Sequence, residues 1–109
     1  MTLIQEGSGQ LTLINVFHVQ PEHQQELVEL LVDATQATMK HLPGFLSANI
    51  HKSLDGKRVI NYAQWESREH FDQMLQHPDA LPHMKRAAQL AESYDPVLCD
   101  VISVHSVLS

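Results

Sequence analysis

The Asp55-Gly56 pair restricts this 109-residue chain most tightly, because a two-residue turn of that type commits the segments on either side to one hairpin. Residues 45–54 and 57–66 are its arms. A type I′ turn there sets Leu46 opposite Trp65, Ala48 opposite Ala63, Ile50 opposite Asn61 and Lys52 opposite Val59. Side chains in a strand alternate between faces. Leu46, Ala48, Ile50, Val59, Ala63 and Trp65 therefore share a largely apolar face, and Ser47, Asn49, Tyr62 and Gln64 share the other. Helices are expected over the apolar face, since burying it is the main gain open to an antiparallel sheet. Two small side chains at its centre leave room, so a ligand cavity is expected beside Ala48 and Ala63.

The remaining elements follow from local pattern. Residues 11–19 are rich in β-branched and aromatic types and read as a first strand. Gln20-Pro21-Glu22 opens a helix whose apolar face steps through Leu27, Leu30, Leu31, Ala34, Thr38 and His41 before Leu42-Pro43-Gly44 breaks it. Ser67 is an N-cap for a second helix over residues 68–76, with Phe71, Met74 and Leu75 as its stripe. His77-Pro78-Asp79 interrupts, and Asp79 is expected to cap a third helix running through Met84, Ala87, Ala88, Leu90 and Ala91. Tyr94-Asp95-Pro96 closes that helix, and residues 97–107 read as the last strand.

The order β-α-β-β-α-α-β fits a ferredoxin-like α+β sandwich with an antiparallel sheet. One domain is expected over residues 11–107, preceded by an N-terminal extension at residues 1–10. No helix remains to cover Ser47, Asn49, Tyr62 and Gln64. The same face of a second copy is the economical cover, which predicts a homodimer through the sheet.

Composition removes several function classes. Formal net charge is −6 and the seven Lys and Arg form no stripe, which argues against nucleic-acid binding. No apolar run approaches the ~20 residues of a membrane span, and residues 1–10 lack the basic start and apolar core of a signal peptide. A lone Cys99 allows no internal disulfide and fits a cytoplasmic location. It has no basic neighbour in sequence, so it reads as packing rather than as a nucleophile. The eight histidines are scattered without ligand spacing, and no metal site is expected. With no Gly-x-Gly-x-x-Gly or Walker sequence, bound nicotinamide or ATP is disfavoured, and flavin has no cradle.

What stands out is Asn61 and Trp65, two hydrogen-bonding side chains on the apolar face with Ala63 between them. Their Cα atoms lie about 13 Å apart at ~3.3 Å per residue, a span suited to several fused rings. The plainer reading is a core-filling tryptophan and an asparagine that ties down a loop.

The stretch Pro43-Gly44-Phe45, Ser47-Ala48, Ser53-Leu54-Asp55-Gly56 and Asn61-Tyr62-Ala63-Gln64-Trp65-Glu66-Ser67 resembles the antibiotic biosynthesis monooxygenase family. The likeness runs from Leu11 to about His105, and the small anthrone oxygenases of aromatic polyketide pathways resemble this chain best. The resemblance implies a ferredoxin-like subunit that dimerises into an α/β barrel. It further implies oxygenation of an anthrone or hydroquinone by O₂ without metal, flavin or other prosthetic group. Asn61 and Trp65 match the family's catalytic pair. A tyrosine that can face the substrate from the second helix is matched here by Phe71, and a basic residue on the third helix by Lys85 or Arg86. Those two and His83 are the candidate bases. Haem-degrading relatives use an asparagine, a tryptophan and a histidine that Asn15, Trp65 and His83 resemble, although Lys85 falls where the haem-ligating histidine is expected. A non-catalytic small-molecule-binding dimer is the remaining alternative, favoured by Phe71.

Overall fold

A computed structural model describes residues 1–108. The hairpin forms from β2 (Phe45–Lys52) and β3 (Arg58–Trp65), with Ala48 opposite Ala63, Ile50 opposite Asn61 and Lys52 opposite Val59 as expected. Its turn differs. Type I′ needs positive φ at both central residues, and of the pair only Gly56 has it, at 81°. The Ser53 carbonyl accepts from Gly56 N–H at 3.2 Å while Ser53 N–H donates to Arg58 O at 3.0 Å. The result is a longer loop with glycine in its left-handed position.

The far end of the hairpin also departs from the expected pairing. A bulge between Phe45 and Ser47 puts Phe45, not Leu46, opposite Trp65. Leu46 turns outward and is exposed. The bulge follows Gly44, whose φ is 83° and whose carbonyl accepts from Glu66 N–H at 2.7 Å. An extra residue accommodated there moves Phe45 to the inner face.

Strand β1 (Leu11–His18) lies beside β3, and β4 (Ser93–Cys99) beside β1, giving the antiparallel order β2-β3-β1-β4. The last strand was expected over residues 97–107 and instead begins earlier and stops sooner. Its one neighbour is β1, and the ladder is used up where Thr12 meets Cys99, one residue from the start of that strand. Pro96 is tolerated because β4 is an edge, where a missing N–H need not break a ladder bond.

The first helical segment is three pieces: a 3₁₀ turn at Pro21–His23, α1 (Gln24–Ala37) and a second 3₁₀ turn at Met39–His41. Thr38 leaves helical geometry at φ −131°, and His41 is consequently exposed rather than on the buried stripe. Helix α2 (Arg68–Leu75) is capped as expected, with Ser67 Oγ accepting from His70 N–H at 3.2 Å. Helix α3 (Leu81–Leu90) takes Ala80 as its cap position. Asp79 does not cap it; its own N–H donates to His77 Nδ1 at 3.1 Å.

The inward residues of the sheet meet the helices in two apolar clusters. Leu13, Ala63, Trp65, Phe71, Met74 and Ala80 form one. Phe17, Val19, Leu27, Val59, Ala87 and Ala91 form the other. On the outer face the N-terminal segment lies across part of the polar strip: Thr2 Oγ1 donates to Asn49 Oδ1 at 2.6 Å, and Gln64 Nε2 donates to Leu3 O at 2.8 Å. Among the described residues no helix is long and apolar enough to cross a membrane.

Candidate active site

The two apolar clusters do not close fully on one another, and a cavity of about 440 Å³ remains between sheet and helices. That size falls within the ~300–1,000 Å³ of small-molecule sites. Its floor is laid out in rows by strand pairing. Asn15 lies opposite Asn61, and the next row joins Leu13, Ala63 and Ala48. Trp65 stands one row further on, so rows succeed one another at ~6.6 Å, two residues of a strand. Asn15, Asn61, Ala48, Ala63, Trp65 and Phe71 all line the space.

Packing fixes the tryptophan. Phe45 meets its ring edge-on at 5.5 Å and 89°, and Phe71 approaches at 6.4 Å and 65°. Trp65 is 2% exposed, yet its Nε1 has no hydrogen-bond partner. The Oδ1 atoms of Asn15 and Asn61 are likewise buried and unpartnered. An unmet buried polar atom costs about 1–3 kcal/mol. All three belong to residues that line one cavity, where a partner would need donors toward the asparagines and an acceptor toward the indole.

Other polar groups border the same space. Arg68 Nε donates to Asp72 Oδ1 at 3.1 Å, with both side chains half exposed or more. His83 lies on α3 with Nε2 3.1 Å from Thr38 Oγ1. Among the described residues no three His, Cys, Asp or Glu side chains converge as a metal site requires.

Five of the expected site residues, Asn61, Trp65, Ala48, Ala63 and Phe71, thus come together. Lys85 and Arg86 do not join them. Helix α3 turns His83, Met84, Ala87 and Ala88 inward, a three-and-four spacing that leaves residues 85 and 86 on the opposite, exposed side. Asn15 entered the sequence reading only as part of the haem-type set. Its signal was present nonetheless: in Leu13-Ile14-Asn15-Val16-Phe17 it is the one polar member of the inward-facing alternation. Tyr94 also borders the cavity, from a strand segment that the sequence pattern placed outside β4.

Residues 10–90 match the antibiotic biosynthesis monooxygenase family. Over 101 residues the chain is 41% identical to tetracenomycin-F1 monooxygenase of Streptomyces glaucescens, covering 93% of this chain and 89% of that protein. It is similar to the crystal structure of a monooxygenase from the gene ActVA-Orf6 of Streptomyces coelicolor in complex with nanaomycin D. That likeness has a TM-score of 0.83 at 28% identity, over 93% of this chain and 95% of the other. SnoaB, a cofactor-independent oxygenase from Streptomyces nogalater, shares the fold at TM-score 0.73 and 21% identity, over 88% of this chain and 96% of its own. With most of its length matched, the chain belongs to the antibiotic biosynthesis monooxygenase family and is a monooxygenase.

Proposed function

We propose that this monooxygenase oxidises an aromatic polycyclic anthrone or hydroquinone with O₂, without metal or organic cofactor, to the corresponding quinone. One observation carries the reading: Asn61 and Trp65 line the same apolar cavity, and Asn61 Oδ1 and Trp65 Nε1 are buried without a partner. Kinship to tetracenomycin-F1 monooxygenase supports it.

An anthrone anion is electron-rich enough to pass an electron to O₂ itself. The protein's task is to hold that anion dry, stabilise negative oxygen and direct the peroxide. Apolar walls over the Ala48/Ala63 row take the rings. The Asn61 amide donates Nδ2–H to the substrate oxyanion, while its Oδ1 and that of Asn15 accept phenolic O–H groups. Trp65, held between Phe45 and Phe71, lies against the rings and aims Nε1–H at the peroxide oxygen. The carbon oxidised loses two hydrogens and gains one oxygen atom; the second atom of O₂ leaves as water.

The assignment is tested with metal-stripped protein turning over 1,8-dihydroxyanthrone. Asn61→Ala is expected to lose ~10²–10³ in kcat, the usual range for an oxyanion donor. Trp65→Phe, which keeps the aromatic packing and removes the N–H, is expected to lose ~10-fold, the equivalent of one ordinary hydrogen bond. Wild-type rates in both variants would sink the proposal.

A second copy across the outer sheet face belongs to the same reading. That face keeps Tyr62 Oη buried without a partner and leaves Val97 exposed.

One observation favours a haem-degrading alternative: Asn15, Trp65 and His83 line a single cavity. Haem carries two propionates, whereas Arg68 is the one Lys or Arg among the described residues on the lining, and Asp72 already engages it. Haemin titration separates the two, since a Soret shift at one equivalent supports haem and none supports the anthrone.

A further inference from the structure

Oxygenation of an anthrone begins with loss of a carbon-bound proton, which neither Asn61 nor Trp65 accepts and for which Lys85, Arg86 and His83 were the candidates. Asparagine amides and an indole are not bases at neutral pH. The basic residues expected on α3, Lys85 and Arg86, point away from the cavity. Four titratable side chains border it: Arg68, Asp72, His83 and Tyr94. The Arg68 guanidinium offers N–H donors and no acceptor. Asp72 accepts from Arg68 Nε at 3.1 Å and is spoken for. Tyr94 is half exposed at the sheet edge.

We infer that His83 is the proton acceptor of this site, oriented by Thr38 and working twice in each turnover. The inference rests on the anthrone reading above. Two observations beyond cavity placement support it. His83 Nε2 lies 3.1 Å from Thr38 Oγ1, a bond that fixes the ring and, with Nε2–H donating, leaves Nδ1 as the lone-pair atom. Nδ1 itself has no hydrogen-bond partner among the described residues. Second, the start of α3 packs on the cluster that holds Trp65, through its cap residue Ala80 and through Met84, the neighbour of His83 on the cavity lining.

The proton and electron balance closes on one imidazole. Nδ1 takes a proton from the anthrone methylene, leaving the carbanion. The carbanion reduces O₂ by one electron, and the radical pair joins in a C–O bond to give a peroxide anion. The imidazolium returns its proton to that anion, forming the hydroperoxide. Nδ1 then removes the second hydrogen from the same carbon as a proton while the O–O bond breaks, giving the carbonyl and hydroxide. Hydroxide and the imidazolium proton combine as water, and His83 is neutral again.

The experiment compares wild type, His83→Gln, His83→Ala and Asp72→Asn on 1,8-dihydroxyanthrone, unlabelled and deuterated at the methylene carbon. Glutamine retains a hydrogen-bonding group toward Thr38. His83→Gln is expected to lower kcat by ~10²-fold, a typical contribution of a positioned acid–base group, with KM changed less than threefold. The acidic limb of the wild-type kcat/KM profile is expected to vanish in His83→Gln and to persist in Asp72→Asn. Added imidazole should restore part of the His83→Ala rate, and a larger isotope effect in the variants should mark proton removal as slower. An active wild type with unchanged kcat in His83→Gln overturns this inference alone, and so does transfer of the loss to Asp72→Asn. A wild type inert toward the anthrone overturns the proposed function and this inference with it.

Discussion

At Gly44 the backbone holds φ 83°, and a carbon added there would lie 2.2 Å from Cγ of His70. That ring cannot swing away freely, because its Nδ1 is 2.7 Å from Ser67 Oγ, the atom that also caps α2. Gly44→Ala therefore combines left-handed strain with a clash against the cap. A loss of about 1–3 kcal/mol is expected from the strain alone, read as a lower urea midpoint at unchanged slope. Unaltered stability would mean that the loop relaxes at no cost. The effect should extend to activity, since Gly44 precedes the bulge that brings Phe45 against Trp65. At position 71, a phenylalanine makes sense for the same indole: it supplies an edge-on ring and adds no further hydroxyl to a lining that already holds three unpartnered polar atoms.

The hairpin loop is the element with the clearest electrostatic signature. Asp55 accepts from Ser53 Oγ at 2.6 Å, Lys57 N–H at 3.0 Å and the Arg58 guanidinium at 3.0 Å, and these hold its carboxyl well below the usual carboxylate range. A carboxyl depressed by folding contributes stability above its unfolded value of ~3.9, and that contribution drains as pH falls toward the folded value. Asp55→Asn is expected to melt below wild type at pH 7, with the gap narrowing below about pH 4. An equal gap at pH 7 and pH 2.5 would trace the effect to the loop's shape rather than to the charge. This loop also shows what a single sequence discloses. Asp55-Gly56 and the alternation around it were enough for the Ala48–Ala63 and Ile50–Asn61 pairs, because both signals are local. The bulge at Phe45 was hidden, since the two-residue turn sets register only while the ladder runs without an extra residue. The partnership of Asn15 with Asn61 was hidden too, for it arises only when residues 46 apart in sequence become neighbours in the β1–β3 ladder. The inward side of α3 was legible in the spacing of Met84, Ala87 and Ala88, which leaves residues 85 and 86 outside; Lys85 and Arg86 were placed in the site by the family resemblance and not by that pattern.

For the whole molecule, the open question of scale is how the outer sheet face is completed. Ile102, Val107 and Leu108 lie exposed in the segment after β4, and Leu3 and Ile4 in the one before β1. The proposed second copy would cover such exposed apolar side chains. Sedimentation equilibrium is expected to give twice the 12.3 kDa chain mass, and replacing Tyr62 and Val97 by lysine should shift it toward the single chain. A monomer at micromolar concentration would remove the dimer from the proposal. The manner of association is constrained by the sheet's two rims. β2 carries its bulge at one rim and β4 its proline at the other, and each disfavours docking of a further strand. Growth by adding strands side by side, the route to open-ended polymers, is obstructed in both directions. The proposed pairing would then use the broad surface, where a twofold contact consumes both partners at once and stops at a pair.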